Sequence, residues 1–535
     1  MRNLVLSIVI VLSGFFFAYF DCNRTKKIST KSVSIGLSHN YTPSKKGQIK
    51  IDSIAISRFF KKYPDLKSYQ SAVNSLYKKR KFHSIWFDEK GLIEFARMLN
   101  SKMNFLEEEG VKSSFKYKNK IDLLFNNNPS DDLSQSETEI MLSTMYLFYA
   151  QKVYNGIETQ KTTEIGWLLA RKKISYESLL DSLLIDPKLL IKNEKQVFGQ
   201  YYKLKEVLKK YRQIEQNKVW KPIEKDSLFR EFKPFDSSKT IGQIRDRLFI
   251  TGDLKQNSKS NLYDNELMAG ILNYKKRNGY NPDYTITSSH IERMNLPIEH
   301  YIKTIMVNME RCRWIDPELT KSNEYIIINI PSFKLLYKKD KKTALEAKVF
   351  VGENRNETVI FSANMNQIIF SPYWNIPQSI VENELKFAMA KDKSYLESHN
   401  MEWNKGGIRQ KPGPTNPLGL VKFVFPNSND IYLHDTPSKS LFDLEYRAYS
   451  HGCINVNKAK ELALLILKDN PQWPLERINE AMKGTKETVC ILKNKIPVHI
   501  CYFTAWVNES GDIHFYNDVY ERDDRLAELL FSNSK

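Results

Sequence analysis

Cysteine is scarce in this chain, which has 5 cysteines among 535 residues. An odd and sparse set of cysteines cannot build the dense disulfide framework that stabilises small secreted domains. Cys490 and Cys501 lie in apolar stretches of sequence, where we expect buried and unreactive thiols. A disulfide bridge between these two is the alternative, and nothing in the sequence supports it.

Nucleic-acid motifs are missing as well, although basic residues are in surplus. Lys and Arg together number 81 against 62 Asp and Glu, which gives a net charge of +19. The lysines are spread along the whole chain. There is no zinc-finger spacing, no aromatic and basic signature of an RNA-binding sheet, and no basic region leading into heptads. We therefore expect a generally basic surface and no nucleic-acid partner.

The composition is not that of a disordered chain, in which apolar residues are scarce. Hydrophobic residues make up 41% of the sequence and aromatic residues 12%, which is ample for packed domains. A single core cannot hold a chain of 535 residues, so we expect about three or four domains.

A long apolar run lies near the beginning of the chain. It covers residues 4–20 and is followed by a polar, basic stretch, an arrangement that indicates an export signal. The run ends in large aromatic residues, which suit signal cleavage poorly, and Asp21 before Cys22 suits lipid modification poorly. We expect residues 1–22 to stay as a membrane anchor, with cleavage or lipidation as the alternatives. Residues 23–50 are then a linker, and the remainder lies outside the cytoplasm.

Helical periodicity dominates the next part of the chain. Residues 51–235 show apolar side chains at three- and four-residue spacing, most clearly in residues 140–151 and 201–211. These residues predict a helical scaffold domain. A second, smaller helical unit covers residues 236–300 and contains a helix that ends at Asn278-Gly279.

Phe82, Trp86 and Phe87 form an aromatic cluster in the first helical unit. Such a cluster can stack against a sugar ring, or it can fill a corner of a helical core. We favour the core, because large aromatic side chains are usually buried.

The pattern then changes to the two-residue alternation typical of strands. The clearest strand candidates are residues 324–330, 348–351, 367–370 and 421–425. The expected fold class is therefore multidomain, with an α-helical scaffold and a small helical module followed by a β-rich α+β domain. Its mixed sheet is expected to be sandwich-like.

The strongest chemical signal is His434 followed, fifteen residues later, by Ser450-His451-Gly452-Cys453-Ile454-Asn455. Because strand side chains alternate, Tyr432 and His434 share one face of a strand. By the same rule Cys453 and Asn455 share one face of the next strand. Two strands therefore present a thiol and an imidazole to one cleft.

This arrangement suits nucleophilic catalysis. A free thiol is only a few per cent thiolate near neutral pH, so a catalytic cysteine needs a base beside it. Cys453 is the candidate nucleophile and His434 the candidate base. Gly452 permits a tight turn, and the amides of Gly452 and Cys453 are candidates for an oxyanion hole. Asn457 is predicted to cap the following helix.

A zinc site built from His434, His451 and Cys453 is the competing interpretation. His451 and Cys453 are only two residues apart on one predicted strand, and no fourth ligand or acidic general base is apparent nearby. We therefore expect no metal and no cofactor.

The motif resembles the signature of the YkuD-type L,D-transpeptidases, in which the histidine precedes the cysteine; papain-like peptidases have the opposite order. Further stretches resemble the large periplasmic branch of that family. They are Pro412-Gly413-Pro414-Thr415-Asn416-Pro417-Leu418-Gly419, Lys422-Phe423, Tyr432-Leu433-His434-Asp435-Thr436-Pro437, Ile496-Pro497-Val498-His499-Ile500, Tyr502-Phe503-Thr504-Ala505-Trp506 and Asp518-Val519-Tyr520.

The resemblance implies a domain order. The implied parts are the scaffold (51–235), a peptidoglycan-binding-like module (236–300), a connecting helix (301–323), the catalytic domain (324–500) and a carboxyl-terminal extension (501–535). Within the catalytic domain, an insertion at about 376–411, helical around 381–390, resembles a capping subdomain, or lid. Asp283-Tyr284 in the module departs from the family pattern, where Asp-Gly is usual.

The resemblance also implies a reaction. Cys453 takes the acyl group of an L-centred diamino-acid residue from a tetrapeptide stem, D-alanine leaves, and an amine on a second stem completes a peptidoglycan cross-link. His434 moves the proton and is oriented by Asp435 or by a backbone carbonyl.

The neighbouring residues have implied roles in the same site. Tyr432 and Ser450 position the donor and the base, and His451 holds the loop by hydrogen bonds. Gly452, with Cys453, supplies the oxyanion donors. Asn455 stands where this branch often has Arg, so we expect the donor to be gripped differently.

Peptidoglycan stem peptides and glycan are the implied partners, together with the membrane through the amino-terminal segment. We expect a monomer in the periplasm, tethered to the inner membrane. Three alternatives remain for the function: an L,D-carboxypeptidase, a transpeptidase that attaches a protein to the wall, and a non-catalytic wall-binding scaffold.

Overall fold

The computed structural model describes residues 50–126, 133–192, 196–226 and 229–531. The predicted anchor, almost the whole linker and Cys22 lie outside these residues. Among the described helices, none combines the length and the apolar character that a membrane span requires.

The amino-terminal part is helical, as the apolar spacing predicts. Its helices are α1 (Ser53–Lys62), α2 (Gln70–Lys79), α3 (Glu94–Asn104), α4 (Lys118–Phe125), α5 (Gln135–Ala150), α6 (Thr159–Glu164), α7 (Tyr176–Ile185), α8 (Leu189–Lys192) and α9 (Gln200–Gln216), with a hairpin of β1 (Phe87–Asp88) and β2 (Gly91–Leu92). Helix α5 begins with a capping box, in which Ser134 and Glu137 each accept a hydrogen bond from the other's backbone amide. It is buried along almost its whole length and is the centre of this part.

The aromatic cluster belongs to the core of this helical part. Trp86 is completely buried, and its ring stacks on Phe95 with centroids 5.4 Å apart. Its indole Nε1 donates to Ser143 Oγ at 2.8 Å. The core interpretation is therefore confirmed, because a fully buried Trp86 cannot stack on a sugar.

The small module has a hydrophobic core of its own. Its elements are β3 (Glu231–Phe232), α10 (Lys239–Thr251), α11 (Asn265–Asn278), β4 (Ile286–Thr287) and α12 (Ser288–Met294). Helix α11 ends at Gly279, whose φ of 78° gives the left-handed cap that the sequence predicts. The carboxylate of Asp283 accepts from the buried Lys275 ammonium at 2.5 Å and from the Thr285 amide at 2.7 Å. Asp283 therefore fixes the turn that contains Tyr284.

The long helix α13 (Ile298–Trp314) leads into the β-rich part. The first strands there are β5 (Glu324–Asn329), β6 (Lys334–Lys339), β7 (Lys342–Gly352) and β8 (Ser362–Phe370). The insertion follows, with β9 (Trp374–Asn375), α14 (Gln378–Ile380), a π-helical turn (Val381–Leu385), α15 (Lys386–Lys391), α16 (Tyr395–Ser398), β10 (Met401–Asn404) and β11 (Gly407–Gln410). It packs around a small core of its own, which includes Ile380 and Ile408.

The chain then returns to the main sheet and ends on it. The remaining elements are β12 (Val421–Val424), β13 (Leu433–His434), β14 (Ala448–Ser450), β15 (Ile454–Val456), α17 (Ala459–Leu467), α18 (Leu475–Met482), β16 (Thr488–Cys501), β17 (Ala505–Val507), β18 (Ile513–Phe515) and α19 (Arg522–Phe531). The sheet has nine strands in the order β14-β7-β15-β13-β12-β8-β16-β5-β6, and β6 also pairs with β7. The sheet thus curls round on itself, and the expected β-rich, mixed-sheet class is confirmed.

One detail of the sequence analysis is wrong. Asn457 does not cap α17; its side-chain Oδ1 accepts from the Lys348 amide at 2.9 Å and so extends the pairing of β15 with β7. Cys490 and Cys501 are buried and their thiols are free, as the sequence analysis expects, so the alternative of a bridge between them fails.

Candidate active site

Strand pairing brings the two predicted catalytic residues together. β13 and β15 run parallel, with Leu433 opposite Ile454 and His434 opposite Asn455. The Ile454 amide donates to the Tyr432 carbonyl at 3.1 Å, which sets Tyr432 beside Cys453. Because Leu433 and Ile454 are completely buried on the core side, the alternate residues share the opposite face.

His434 is only 5% exposed, and its ring is held by the backbone. Nδ1 lies 2.5 Å from the carbonyl oxygen of Asp435, so this nitrogen carries the proton and Nε2 remains the basic nitrogen. Burial lowers the pKa of His434 to about 4, although the Asp435 and Pro417 carbonyls favour the charged ring. The Asp435 carboxylate is turned elsewhere, since it accepts from the Leu420 amide at 2.9 Å and pairs with Lys439. Orientation by the backbone is thus observed, and orientation by the Asp435 side chain is wrong.

Cys453 is partly buried immediately before β15. Its Sγ lies 3.6 Å from the Asp430 carbonyl oxygen, to which the thiol donates. Burial raises the pKa of the Cys453 thiol, while a hydrogen bond from Tyr432 and the charge of Lys422 oppose this rise. The resting site therefore holds a neutral thiol and a neutral imidazole.

The turn before Cys453 is organised by Ser450. Its Oγ donates to the Cys453 carbonyl at 2.5 Å and accepts from the Gly452 amide at 3.2 Å. Gly452 has a φ of 108°, which a residue with a side chain rarely adopts. The structure thus uses Ser450 to shape the turn, and the Gly452 amide is engaged inside it. His451 is exposed and has no hydrogen-bond partner among the described residues.

Sequence reasoning missed several residues that support this turn. Thr358 Oγ1 donates to the Gly452 carbonyl and accepts from the Gly352 amide, both at 2.8 Å. The Tyr520 hydroxyl donates to the Gly352 carbonyl at 2.7 Å. A threonine in a loop carries no chemical signature, so its spacing along the chain could not reveal this contact.

Asn427 and Asp430 organise the loop on the other side of the thiol. The Asn427 side chain bonds to the backbone of Phe425, Asn429 and Ile431 at 2.7 to 3.2 Å. Asp430 has a left-handed φ of 52°, a strained conformation for a residue with a side chain. The loop thereby fixes the Asp430 carbonyl that faces Cys453.

The structure also places Asn455 and the three residues of the alternative zinc site. Asn455 lies beside His434 as predicted, and its Oδ1 is buried without a hydrogen-bond partner among the described residues. No cluster of three or more His, Cys, Asp and Glu side chains within the described ranges could hold a metal ion. The exposed His451 therefore does not join His434 and Cys453 in a metal site.

Two family models match this chain. Residues 323–489 match the YkuD model, described as the L,D-transpeptidase catalytic domain, and residues 71–208 match the Scaffold domain. Residues 323–489 form a YkuD L,D-transpeptidase domain. The resemblance to the YkuD-type enzymes is thereby confirmed for the catalytic and scaffold domains. The peptidoglycan-binding-like interpretation of 236–300 stays a prediction.

Part of this chain is similar in sequence to a known protein. A Haemophilus influenzae protein named "Putative L,D-transpeptidase" is 34% identical over 227 residues, which are 38% of this chain and 46% of that protein. The chain thus spans about half the length of this curated relative.

Solved structures of L,D-transpeptidases match this chain at lower sequence identity. One from Stackebrandtia nassauensis has a TM-score of 0.22 and 12% identity, covering 52% of this chain and 95% of its own. One from Mycobacterium smegmatis has a TM-score of 0.20 and 11% identity, covering 33% and 58%.

Proposed function

We propose that this protein is an L,D-transpeptidase that cross-links peptidoglycan through a thioester on Cys453. The observation that carries the proposal is the parallel pairing of β13 and β15, which sets Cys453 and His434 on one face within a YkuD domain. The Asp435 carbonyl fixes His434 with a basic Nε2.

Acylation begins from the neutral pair. The Cys453 thiol leaves the Asp430 carbonyl and gives its proton to His434 Nε2, while Sγ attacks the carbonyl of the L-centred diamino-acid residue. The tetrahedral oxyanion collapses, the bond to D-alanine breaks, and the D-alanine nitrogen takes the proton from His434. Free D-alanine and a thioester are the products.

The Cys453 amide is the oxyanion donor in this proposal. The Gly452 amide is engaged by Ser450 Oγ at 3.2 Å, so the Cys453 amide is better placed to serve a developing negative charge. The Tyr432 hydroxyl, which hydrogen-bonds to Cys453, is the second polar group near the reacting carbon.

Transfer completes the reaction. An amine of a second stem attacks the thioester, His434 accepts a proton from that amine, and Sγ leaves and recovers the proton. The insertion Trp374–Gln410 is proposed as a lid that excludes water from the thioester, which would favour the amine over hydrolysis.

The setting of the reaction is also proposed. An export signal and a basic chain of net charge +19 suit a periplasmic protein held at the inner membrane and facing wall polymer. Stem peptides and glycan are the proposed partners, and the protein is proposed to act as a monomer.

Incubation of the full chain with purified disaccharide-tetrapeptides tests the proposal. Mass spectrometry is expected to show cross-linked dimers, released D-alanine and a transient acyl-enzyme. Cys453→Ala should abolish all three. Tripeptide stems without dimers would indicate an L,D-carboxypeptidase. A wild-type protein that leaves the donor unchanged would contradict the proposal that this protein is an enzyme.

A further inference from the structure

Lys422 lies in the candidate active site, although no catalytic step above uses it. It stands on β12 directly opposite His434 in the antiparallel pair of β12 and β13. It therefore shares the face that carries His434 and Cys453. Its Nζ lies 3.6 Å from the centroid of the Tyr432 ring, the residue beside Cys453.

The ammonium of Lys422 is partly buried and has no ion-pair partner within the described ranges. Burial lowers the pKa of Lys422, and interactions with Cys453, Glu487 and Asp430 oppose this shift without forming an ion pair among the described residues. Both Glu487 and Asp430 are exposed. A cation that loses water without gaining an anion destabilises the free protein, and such groups are concentrated at functional sites.

The face continues beyond Lys422 as an open apolar strip. Lys422 pairs with Ile369 on β8, and Ile369 pairs with Val489 on β16. Val489 is 45% exposed and Ile491, two residues further on, is 76% exposed. An extended ligand that reaches Cys453 along this face would pass the ammonium before it reaches the thiol.

We propose that Lys422 binds a carboxylate of the donor stem and thereby selects donors in which that carboxylate is free. The proposal rests on the proposed function and adds the substrate class. A tetrapeptide donor whose diamino acid carries a second carboxyl group has two carboxylates close to the attacked carbonyl: that of the departing D-alanine and that of the diamino-acid side chain. The cation–π contact with Tyr432 holds the ammonium near the thiol in either case.

The test compares the full wild-type chain with Lys422→Met, Lys422→Arg and, as a matched control, Lys460→Met on the exposed surface of α17. Three donors are used: the free tetrapeptide, one amidated on the diamino-acid carboxylate, and one ending in D-alaninamide. Acyl-enzyme formation is followed by intact-protein mass spectrometry, and kcat and KM are obtained separately. Alkylation of Cys453 by neutral iodoacetamide reports whether each variant keeps an accessible thiol.

Lys422→Met is expected to raise KM for the free donor by about ten-fold, the loss typical of one charge-assisted contact. Lys422→Arg should restore part of the lost affinity for the free donor, and Lys460→Met should have the same KM as the wild type. Amidation of the recognised carboxylate should raise the wild-type KM to the same level and cancel the difference between wild type and Lys422→Met. The amidated donor that does so identifies the carboxylate.

An equal effect of Lys422→Met on all three donors would overturn the proposal in favour of a structural role, as would no effect on any of them. In both cases the wild type would still be acylated by the free donor, so the proposed function would stand. A wild type that no donor acylates would defeat the proposed function, and this proposal would fall with it.

Discussion

His434 is buried among strands, and its environment holds the pKa of the imidazole at about 4. A general base must be neutral, and protonation of a base with this pKa becomes important only near pH 4. We therefore expect kcat/KM for Cys453 acylation to stay level between about pH 5 and 8. Initial rates across this range, with the fold checked by circular dichroism, measure it. A profile that falls by half near pH 6.5, the usual pKa of histidine, would contradict this assignment.

Gly452 is the second residue whose chemistry is set by the backbone. A residue with a side chain would be strained at the φ of 108° that Gly452 adopts. Such backbone strain costs on the order of 1–3 kcal/mol. Relief of that strain would displace the Cys453 amide. Gly452→Ala is therefore expected to lower kcat by about ten-fold or more, since each 1.4 kcal/mol of lost transition-state stabilisation is a factor of ten.

Gly511 provides the control for that prediction. Its φ is 88°, and a Cβ there would meet no atom within 4 Å. Gly511→Ala therefore imposes comparable backbone strain in the β17–β18 hairpin, which is separate from the sheet that carries β13 and β15. It should lower the melting temperature as Gly452→Ala does, with kcat unchanged. Equal activity loss in both variants would show that general destabilisation, not the oxyanion donor, explains the effect.

Among the elements, the lid gives the clearest test. Its core of Ile380 and Ile408 is separate from the main core. Where the insertion leaves the sheet, Trp374 pairs with Gln410 and the side-chain Nδ2 of Asn416 donates to the Pro372 carbonyl oxygen at 3.0 Å. A short glycine linker can therefore replace the residues between. We expect deletion of the lid to raise hydrolysis relative to transfer, because water then reaches the thioester. The ratio of tripeptide products to dimer products measures this change.

A milder variant controls for the size of that deletion. Ile408→Ala removes a buried side chain, 2% exposed, from the lid core alone. It should move the product ratio in the same direction by a smaller amount, while Lys405→Ala at the exposed tip of the β10–β11 hairpin leaves it unchanged. A ratio that is the same for the deletion and the wild type would contradict the lid.

The elements also show what periodicity can and cannot predict. Two-residue alternation placed Tyr432, His434 and Cys453 on one face, because each strand's own pattern separates core from surface. Lys422 joins them only because β12 pairs with β13, a contact between strands that no local pattern encodes. The sequence does not predict strands β10 and β11 in the lid for a similar reason. Each has four residues, and the two strands bury a single apolar side chain, Ile408, beside the polar Gln410.

At the scale of the whole molecule, the turn before Cys453 is supported by the carboxyl-terminal extension. Tyr520 holds Gly352 near that turn, and the same extension is tied to α13 through Asn308 and Thr504, 2.7 Å apart. Arg311 on α13 pairs with the partly buried Asp523 at 2.6 Å. The extension is therefore packed as one unit with the β-rich part, because its contacts link the turn before Cys453 to α13.

The pH dependence of stability is a property of the whole chain. Burial lowers the pKa of four histidines to about 4; they are His290, His434, His499 and His514. Between pH 6.5 and 4 the unfolded chain binds protons at these sites and the folded chain does not, so stability is full above this window and is lost as pH falls through it. Glu139 and Asp523 act in the opposite sense, because burial raises the pKa of Glu139 to about 7 and also raises that of Asp523, but they are two groups against four.

We therefore expect the melting temperature to fall by several degrees between pH 7 and 5, before most carboxylates titrate. Each histidine contributes up to about 3 kcal/mol, and less where water reaches the ring. His514→Phe removes one of these sites outside the active site, where the cations Lys334 and Arg277 add to the effect of burial. It should flatten the decline measurably, whereas Lys460→Met should not change its slope. A melting temperature that stays constant from pH 7 to 5 in the wild type would show that the buried histidines take up protons in the folded state.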